Sequence, residues 1–398
     1  MVLPTLRLRG SKSGLDPKVA SSKKSKDEAP NIPAPMLERL QMNDTQFNIS
    51  ELPPNAQTNL LDQIYNDLQT RSHSQERCAA LRCLQDFCYY FNSLPSSFNL
   101  DKVTFLRSEL IGRGGEAAIY RGDRLGKSVV VRETVLTQRQ RTEPIGKEIA
   151  RLVRREAITH SQLHHNNILE FLGIFQERSD SPPLTVLPYI ERGSLQDLLT
   201  SGEELDADRF QSILGGTNKG IAYLHSREPP VIHGDLHPGN ILLGENSNPL
   251  LCDFGLSRIR HEMTRTRTQA QAGGKTRYLA PELSTSPQER FRTSWQSDIY
   301  AFSMVVLYMW TGKKPFSDID DEGQVFIKSS KGLRPKRPSS STILVSLPEA
   351  VNVALWKLLA EMWAQDPAKR PPSEGLLERF KEMFEGSPLP SGTGCTIM

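Results

Sequence analysis

The chain has 398 residues, of which 24% are charged and 37% hydrophobic, with a formal net charge of +3. This length accommodates a two-lobed domain of about 250 to 300 residues with extra segments; the small, dispersed charge gives no reason to assign a nucleic-acid partner, and no apolar run approaches the roughly 18 residues that span a bilayer. Five cysteines in a chain without a signal peptide predict reduced thiols and a cytoplasmic location.

The N-terminal part contains a polar segment followed by helical patterns. Residues 1–35 are rich in Ser, Lys, Pro and Gly, and because they cannot bury enough apolar surface to offset the entropy lost on ordering, we expect disorder. Residues 55–92 carry apolar side chains at helical spacing and predict two amphipathic helices. The apolar faces of these helices need a partner. Docking on the following domain is the simpler hypothesis, and recruitment of another protein is the alternative.

The remainder of the chain divides into regions of different periodicity. Residues 106–188 contain short β-branched runs and one helical pattern, whereas residues 193–384 carry mostly helical spacing. This asymmetry predicts an α+β fold with a small β-rich lobe followed by a larger helical lobe. Residues 385–398 are predicted to form a flexible tail.

A glycine-rich segment is the first candidate nucleotide-binding feature. In a hairpin of this kind the missing side chains let backbone N–H groups approach phosphate oxygens closely. Ala117 replaces the third glycine of the pattern, a small change that keeps the hairpin plausible, and an ordinary glycine-rich turn is the alternative. The residues assigned to nucleotide binding here are Ile111, Gly112, Arg113, Gly114, Gly115, Glu116, Ala117 and Ile119.

Two loops farther along the chain carry residues suited to metal-assisted chemistry. Asp235 and Asn240 belong to the segment His233–Asn240, and Asp253 follows in the segment Leu251–Gly255. Carboxylate and amide oxygens are hard ligands of the kind that Mg²⁺ prefers. The residue types, their spacing and their order together make a chance pair of Asp-containing turns a poor explanation.

Taken in order, these motifs resemble protein kinases, and within them the tyrosine-kinase-like group. The triplet Ala280-Pro281-Glu282 and the downstream residues Asp298 and Arg370 strengthen the resemblance, which covers about 280 residues, or roughly seven-tenths of the chain. It implies a bilobal fold and the use of ATP with Mg²⁺. It also implies transfer of the ATP γ-phosphoryl group to protein hydroxyls, with Ser and Thr favoured over Tyr as acceptors.

The resemblance implies a role for each polar residue of the site. Asp235 would accept or orient the proton of the substrate hydroxyl, and Asn240 and Asp253 would hold Mg²⁺. Arg132 would grip phosphate from a β-strand while pairing with Glu156 of the following helix, and a purely structural ion pair is the alternative.

Other implied contacts concern adenine and the frame of the site. Leu187 would lie behind the base, backbone groups near Tyr189 and Ile190 would hydrogen-bond it, and Val130 would belong to the same site. Glu282 would pair with Arg370, while Asp298 would brace the catalytic loop, His233–Asn240, from below.

Besides Ala117, the chain departs from the family pattern at four positions of the site. Arg132 replaces a lysine and offers a planar fork in place of a point charge. Gly234 replaces an arginine that commonly engages a phosphorylated activation loop, His237 replaces a lysine, and Lys275 occupies the position of a threonine. Because of Arg132, an ATP-binding pseudokinase scaffold is the main alternative to an active enzyme, and small-molecule phosphotransfer to aminoglycosides or choline is the minor one.

The chain ends Gly394-Cys395-Thr396-Ile397-Met398, which fits the pattern for farnesylation at Cys395. A single lipid binds membranes only marginally and reversibly. The pattern therefore adds peripheral contact with a membrane to the expected cytoplasmic location.

Overall fold

The structure is a computed structural model that describes residues 52–70, 74–113, 117–135, 145–177, 181–253, 275–284, 293–339 and 343–385. The chain divides into two compact units, Met1–Leu100 and Asp101–Met398. The segment predicted to be disordered, 1–35, and the tail that carries Cys395 lie outside the described residues.

The first unit contains helices α1 (Pro54–Thr70) and α2 (Ser74–Phe91), in the region of the helical spacing. The two helices pack against each other, so each apolar face is at least partly covered by the other. The Asp62 carboxylate of α1 accepts hydrogen bonds from the backbone N–H and the hydroxyl of Ser96, at 2.6 and 2.7 Å. This contact ties the chain after α2 back to α1.

The second unit begins with an antiparallel sheet. Its strands are β1 (Val103–Arg113), β2 (Ala117–Arg124), β3 (Lys127–Thr134), β4 (Gly173–Phe175) and β5 (Leu184–Pro188). They lie in the order β1-β2-β3-β5-β4, and helix α3 (Ile145–His160) joins β3 to β4 along the chain. The central strand β3 is buried at Val129 and Val131, because every second side chain of a strand points to the same face of the sheet.

The rest of the second unit is mostly helical, which confirms the predicted bilobal α+β fold. Its core surrounds the helix that begins at Trp295, which is apolar on all sides and buried along almost its whole length. Ser294 and Ser297 form a capping box at its start, and Gly312 ends it in the left-handed conformation, with φ of +66°. The helices are α4 (Leu195–Ser201), α5 (Ala207–His225), α6 (Trp295–Thr311), α7 (Glu322–Ser330), α8 (Glu349–Met362) and α9 (Ser373–Glu385).

A two-stranded sheet carries the loops predicted to hold the chemistry. Strands β6 (Ile241–Leu243) and β7 (Pro249–Leu251) are antiparallel, and Ile241 pairs with Leu251. This register places the residue before β6 beside the residue after β7, since the Cys252 N–H donates to the Asn240 carbonyl at 3.1 Å. Strand pairing therefore brings the two loops together.

A buried ion pair links the segment after the catalytic loop to the helical core. The Arg370 guanidinium donates to both carboxylate oxygens of Glu282, at 2.7 and 2.8 Å, and the predicted pair is confirmed.

None of the helices among the described residues combines the length and the apolarity needed to cross a bilayer.

Candidate active site

The catalytic loop is fixed from below by one buried carboxylate. Asp298 is 1% exposed, and its two oxygens accept the backbone N–H groups of His233 and Gly234, each at 2.8 Å. These contacts confirm that Asp298 braces the loop. Gly234 has φ of +74°, in a region that residues with a Cβ rarely adopt. A glycine at this position therefore allows the left-handed backbone conformation of the loop.

Asp235 and Asn240 lie together on this loop. The Asn240 side-chain amide donates to the Asp235 backbone carbonyl at 2.9 Å and to Asp235 Oδ2 at 2.8 Å. A 3₁₀ turn at Pro238–Asn240 brings the two residues within reach, and His237 caps this turn by accepting the Gly239 N–H on Nδ1 at 3.0 Å. The orientation of the Asp235 carboxylate is therefore set by the loop itself.

Two basic side chains approach the same carboxylate oxygen. His237 Nε2 lies 3.4 Å and Lys275 Nζ 3.5 Å from Asp235 Oδ2. Burial, followed by the charge of Lys275, lowers the pKa of His237 to about 3. The imidazole is therefore neutral at neutral pH, whereas the lysine brings a positive charge.

Asp253 is the second residue after β7 and has φ of +58°. A non-glycine residue in this left-handed region is strained, and such strain clusters at functional sites. Its Oδ1 atom lies 3.4 Å from Nε of Arg132.

Arg132 connects the sheet with helix α3 and with the loop that carries Asp253. It is 7% exposed on β3, and its Nη1 atom lies 3.7 Å from Glu156 Oε1 on α3. With Asp253 on its other side, one guanidinium faces two carboxylates. Both distances exceed the 2.7–2.9 Å typical of charge-assisted hydrogen bonds. The guanidinium therefore lies near both carboxylates at ion-pair distance.

A cluster of apolar side chains extends from the sheet to the β6–β7 pair. Val130 of β3 and Leu187 of β5, both assigned to the nucleotide site, belong to this apolar cluster. Leu242 and Cys252 also belong to it, although sequence reasoning missed them because an apolar side chain in a strand gives no signal beyond burial. Burial raises the pKa of the Cys252 thiol well above its usual range. The cluster comprises Leu169, Leu187 and Cys252, with Val130, Phe171, Ile190, Leu242 and Leu250 packed against them.

The segment after β5 is held by contacts to the sheet and within its own turn. The Tyr189 N–H donates to the Ser128 carbonyl at 3.4 Å, and the Tyr189 ring centroid lies 4.6 Å from the Arg121 guanidinium carbon. The Ile190 carbonyl accepts the Gly193 N–H at 3.2 Å. Tyr189 is thereby tied to the sheet, and the Ile190 side chain packs against the apolar cluster.

The glycine-rich segment is described on both sides of its tip. Gly112 pairs with Ile119 and Arg113 with Ala118 across β1 and β2, and Ala117 begins β2. Ile111 is exposed at the end of β1. The predicted contacts of Gly114, Gly115 and Glu116 lie outside the described residues.

Comparisons with known proteins agree with this architecture. A family model of the protein kinase domain matches residues 105–380. A probable leucine-rich repeat receptor-like protein kinase of Arabidopsis thaliana is 31% identical over 249 residues, which cover 62% of this chain and 24% of the relative. The probable serine/threonine-protein kinase pats1 of Dictyostelium discoideum is 30% identical over 305 residues, 73% of this chain and 9% of the relative.

The serine/threonine-protein kinase CTR1 of Arabidopsis thaliana is 28% identical over 287 residues, which cover 71% of this chain and 32% of the relative. The chain thus spans between 9% and 32% of the length of these three relatives. The match to the domain itself extends over more than half of the chain and coincides with the β-rich and helical lobes that meet at the site. On these grounds the chain belongs to the protein kinase family.

Proposed function

We propose that the chain is an active protein kinase that transfers the γ-phosphoryl group of Mg-ATP to Ser or Thr hydroxyls of protein substrates. Protein kinase domains in general use ATP and Mg²⁺. The observation that carries the proposal is the joining of the two loops: the Asn240 amide donates to Asp235 Oδ2 at 2.8 Å, and the N–H of Cys252, the residue before Asp253, donates to the Asn240 carbonyl at 3.1 Å. This arrangement keeps the proposed base and both proposed metal ligands in one assembly.

The residues at the proposed metal site fit Mg²⁺. The amide nitrogen of Asn240 is committed to Asp235, which leaves its oxygen for a cation, and Asp253 supplies a carboxylate. Within the described ranges no group of three or more His, Cys, Asp or Glu side chains is arranged to hold a metal ion, so an ion here would take further oxygens from phosphate and water. When bound, Mg²⁺ neutralises charge on the phosphate oxygens.

The proposed transfer step assigns one task to each residue of the chain. The substrate hydroxyl oxygen bonds to the γ-phosphorus, and the bond to the β–γ bridging oxygen breaks, leaving its electron pair on ADP. Asp235 accepts the hydroxyl proton, and Asn240 holds the carboxylate in the orientation for this. Arg132 positions the remaining phosphates from β3, while Glu156 restrains its guanidinium.

Adenine binding is assigned to the apolar cluster. Val130 and Leu187 belong to it from the sheet and Leu242 from the β6–β7 pair, so a flat base would lie against apolar side chains. Hydrogen bonds to the base are assigned to backbone groups of Tyr189 and Ile190 other than the Tyr189 N–H and the Ile190 carbonyl, which already bond Ser128 and Gly193. The preference for Ser and Thr is supported by the serine/threonine-protein kinases among the relatives.

The alternative is a nucleotide-binding pseudokinase, and one observation favours it. A lysine reaches a partner as a compact point charge, whereas the Arg132 fork lies more than 3 Å from both carboxylates. Misplacement of phosphate by about 1 Å can cost about 100-fold in rate. The two functions make opposite predictions about turnover.

Turnover of radiolabelled ATP with a generic protein substrate separates the two functions. We expect phosphate transfer by the native protein, loss of it in Asp235→Asn and in Asp253→Asn, and phosphoserine or phosphothreonine after acid hydrolysis of the substrate. Nucleotide binding, followed by fluorescence of a labelled ATP analogue, should persist in Asp235→Asn. The native protein would be a pseudokinase if it bound nucleotide but transferred no phosphate, and if turnover appeared in Arg132→Lys.

A further inference from the structure

Three side-chain nitrogen atoms converge on one oxygen of the catalytic carboxylate. The Asn240 amide lies 2.8 Å from Asp235 Oδ2, His237 Nε2 lies 3.4 Å from it, and Lys275 Nζ lies 3.5 Å from it. Asn240 and His237 come from the catalytic loop, whereas Lys275 comes from a turn about 40 residues later in the chain. The carboxylate is therefore approached from two separate segments.

The catalytic loop itself brings no positive charge to this point. His237 Nδ1 accepts the Gly239 N–H at 3.0 Å, so this nitrogen holds a lone pair and the ring proton sits on Nε2, facing Asp235. The Nε2 atom does not reach hydrogen-bond geometry with any described residue. Position 237 thus contributes a neutral imidazole next to a carboxylate.

The turn that carries Lys275 is anchored in the helical lobe. Lys275–Tyr278 form a 3₁₀ turn, and Thr276, Arg277 and Tyr278 are buried. Arg277 Nη1 donates to the carbonyls of Pro315 and Phe316, at 2.9 and 2.7 Å. The backbone of Lys275 is therefore held in place, while its side chain remains 40% exposed.

We propose that Lys275 supplies the positive charge that the catalytic loop lacks at position 237, and that it holds both Asp235 and the transferred phosphoryl group. This inference rests on the proposed kinase function. Asp235 accepts the hydroxyl proton at the point where the hydroxyl bonds to phosphorus, so a cation beside its carboxylate also borders the group being transferred. Lys275 keeps its protons throughout, and the balance of the transfer step is unchanged.

The first experiment measures turnover in variants of the full chain. Lys275→Met should lower kcat about 100-fold, the loss typical of one positioned donor. Lys275→Arg should retain activity within about tenfold, because the charge remains. The double variant Lys275→Met, His237→Lys should regain at least about tenfold, since it moves the charge to the catalytic loop.

The second experiment measures nucleotide affinity and needs no turnover. The probes are AMP-PNP and ADP, each with Mg²⁺, titrated calorimetrically. Lys275→Met should weaken AMP-PNP about tenfold and leave ADP within twofold, because only AMP-PNP carries a third phosphate. If Lys275→Met proves unstable, Lys275→Gln removes the same charge with a polar side chain.

A matched control is Lys336→Met, because Lys336 is an exposed lysine with an ion pair of its own to Asp318 at 3.0 Å. It should change neither kcat nor either affinity. An AMP-PNP affinity within twofold of the native value in Lys275→Met would overturn the inference, as would a loss in Lys275→Arg equal to that in Lys275→Met. A native protein without turnover whose AMP-PNP affinity still depends on Lys275 would instead refute the proposed function, and of the inference only the contact between Lys275 and the third phosphate would remain.

Discussion

The Nε atom of Arg132 lies 3.4 Å from Oδ1 of Asp253, and the other side of the same guanidinium faces Glu156. Arg132 is buried, and Glu156 nearly so. Removing the cation would leave two carboxylates close together with little solvent. An uncompensated buried charge destabilises the folded state by more than the intact ion pair stabilises it.

We therefore expect Arg132→Met to lower the free energy of unfolding by about 3 kcal/mol and to lower kcat at least about 100-fold. Arg132→Lys keeps the charge, so its free energy of unfolding and its kcat should both be higher than those of Arg132→Met. Urea unfolding and steady-state kinetics measure the two effects separately.

The sheet contains a matched control for this prediction. Arg107 also lies between two carboxylates, those of Glu133 and Glu177, but it is 49% exposed. Because solvent screens such contacts, Arg107→Met should cost less than about 1 kcal/mol and should not change kcat. Equal losses in the two variants would mean that burial does not distinguish the two sites.

A second prediction concerns the buried pair of Arg370 and Glu282. The Arg370 side chain is fully buried, and it donates to the Ala364 and Gln296 carbonyls as well as to the carboxylate. Glu282→Gln leaves a buried charge without its partner, so we expect a loss of about 3 kcal/mol in the free energy of unfolding. Thermal and urea unfolding of the purified variant measure it.

The comparison for this pair is the ion pair of Arg379 with Glu361. It has the same two-pronged geometry, but both side chains are well exposed. Glu361→Gln should cost at most about 1 kcal/mol. Similar losses in Glu282→Gln and Glu361→Gln would contradict the role assigned to burial.

The third prediction uses two adjacent glycines of α5. A Cβ on Gly215 would meet nothing within 4 Å, whereas a Cβ on Gly216 would lie 2.5 Å from the Pro249 side chain and 2.9 Å from Asn167 Nδ2. Gly215→Ala should therefore stabilise the protein by up to about 1 kcal/mol through helix propensity. Gly216→Ala should destabilise it by about 1 to 3 kcal/mol through overpacking.

Pro249 begins β7, the strand that precedes Asp253, so Gly216→Ala should also weaken nucleotide binding. Gly215→Ala is its internal control, because it makes the same chemical change one residue away. The same sign of stability change in both variants would disprove the close approach of α5 to β7.

The sequence predicted the chemistry of this site better than its spatial assembly. Asp235, Asn240 and Asp253 could be singled out because hard cations need oxygen ligands, which restricts the residue types and their spacing. The proximity of the two loops, however, depends on the pairing of β6 with β7, and residue types do not determine that register.

Lys275 and Cys252 illustrate the part that sequence reasoning could not supply. The sequence marks Lys275 as a departure from the family pattern, but its approach to Asp235 depends on a turn held by Arg277 in the helical lobe. Cys252 resembles any small apolar residue in the sequence, and its place in the apolar cluster follows from packing alone. Gly234 stands in the sequence where the family has an arginine, and its φ of +74° gives the glycine a backbone role as well.

The last prediction concerns pH and the buried His160 at the end of α3. Its Nε2–H donates to the Leu169 carbonyl at 2.7 Å, and its ring lies 5.3 Å from that of Phe171. Burial lowers the pKa of His160 from 6.5 to about 4. The folded protein therefore keeps this histidine neutral at pH values where the unfolded chain protonates it.

A depressed folded-state pKa gives stability that is complete above pH 6.5 and is lost as the pH falls toward 4. The loss from this one group amounts to about 3 kcal/mol, since each pKa unit corresponds to about 1.4 kcal/mol. Urea unfolding at several pH values should show a shallower decline for His160→Leu than for the native protein, because leucine does not titrate. A native decline no steeper than that of His160→Leu would show that His160 is not held neutral by the fold.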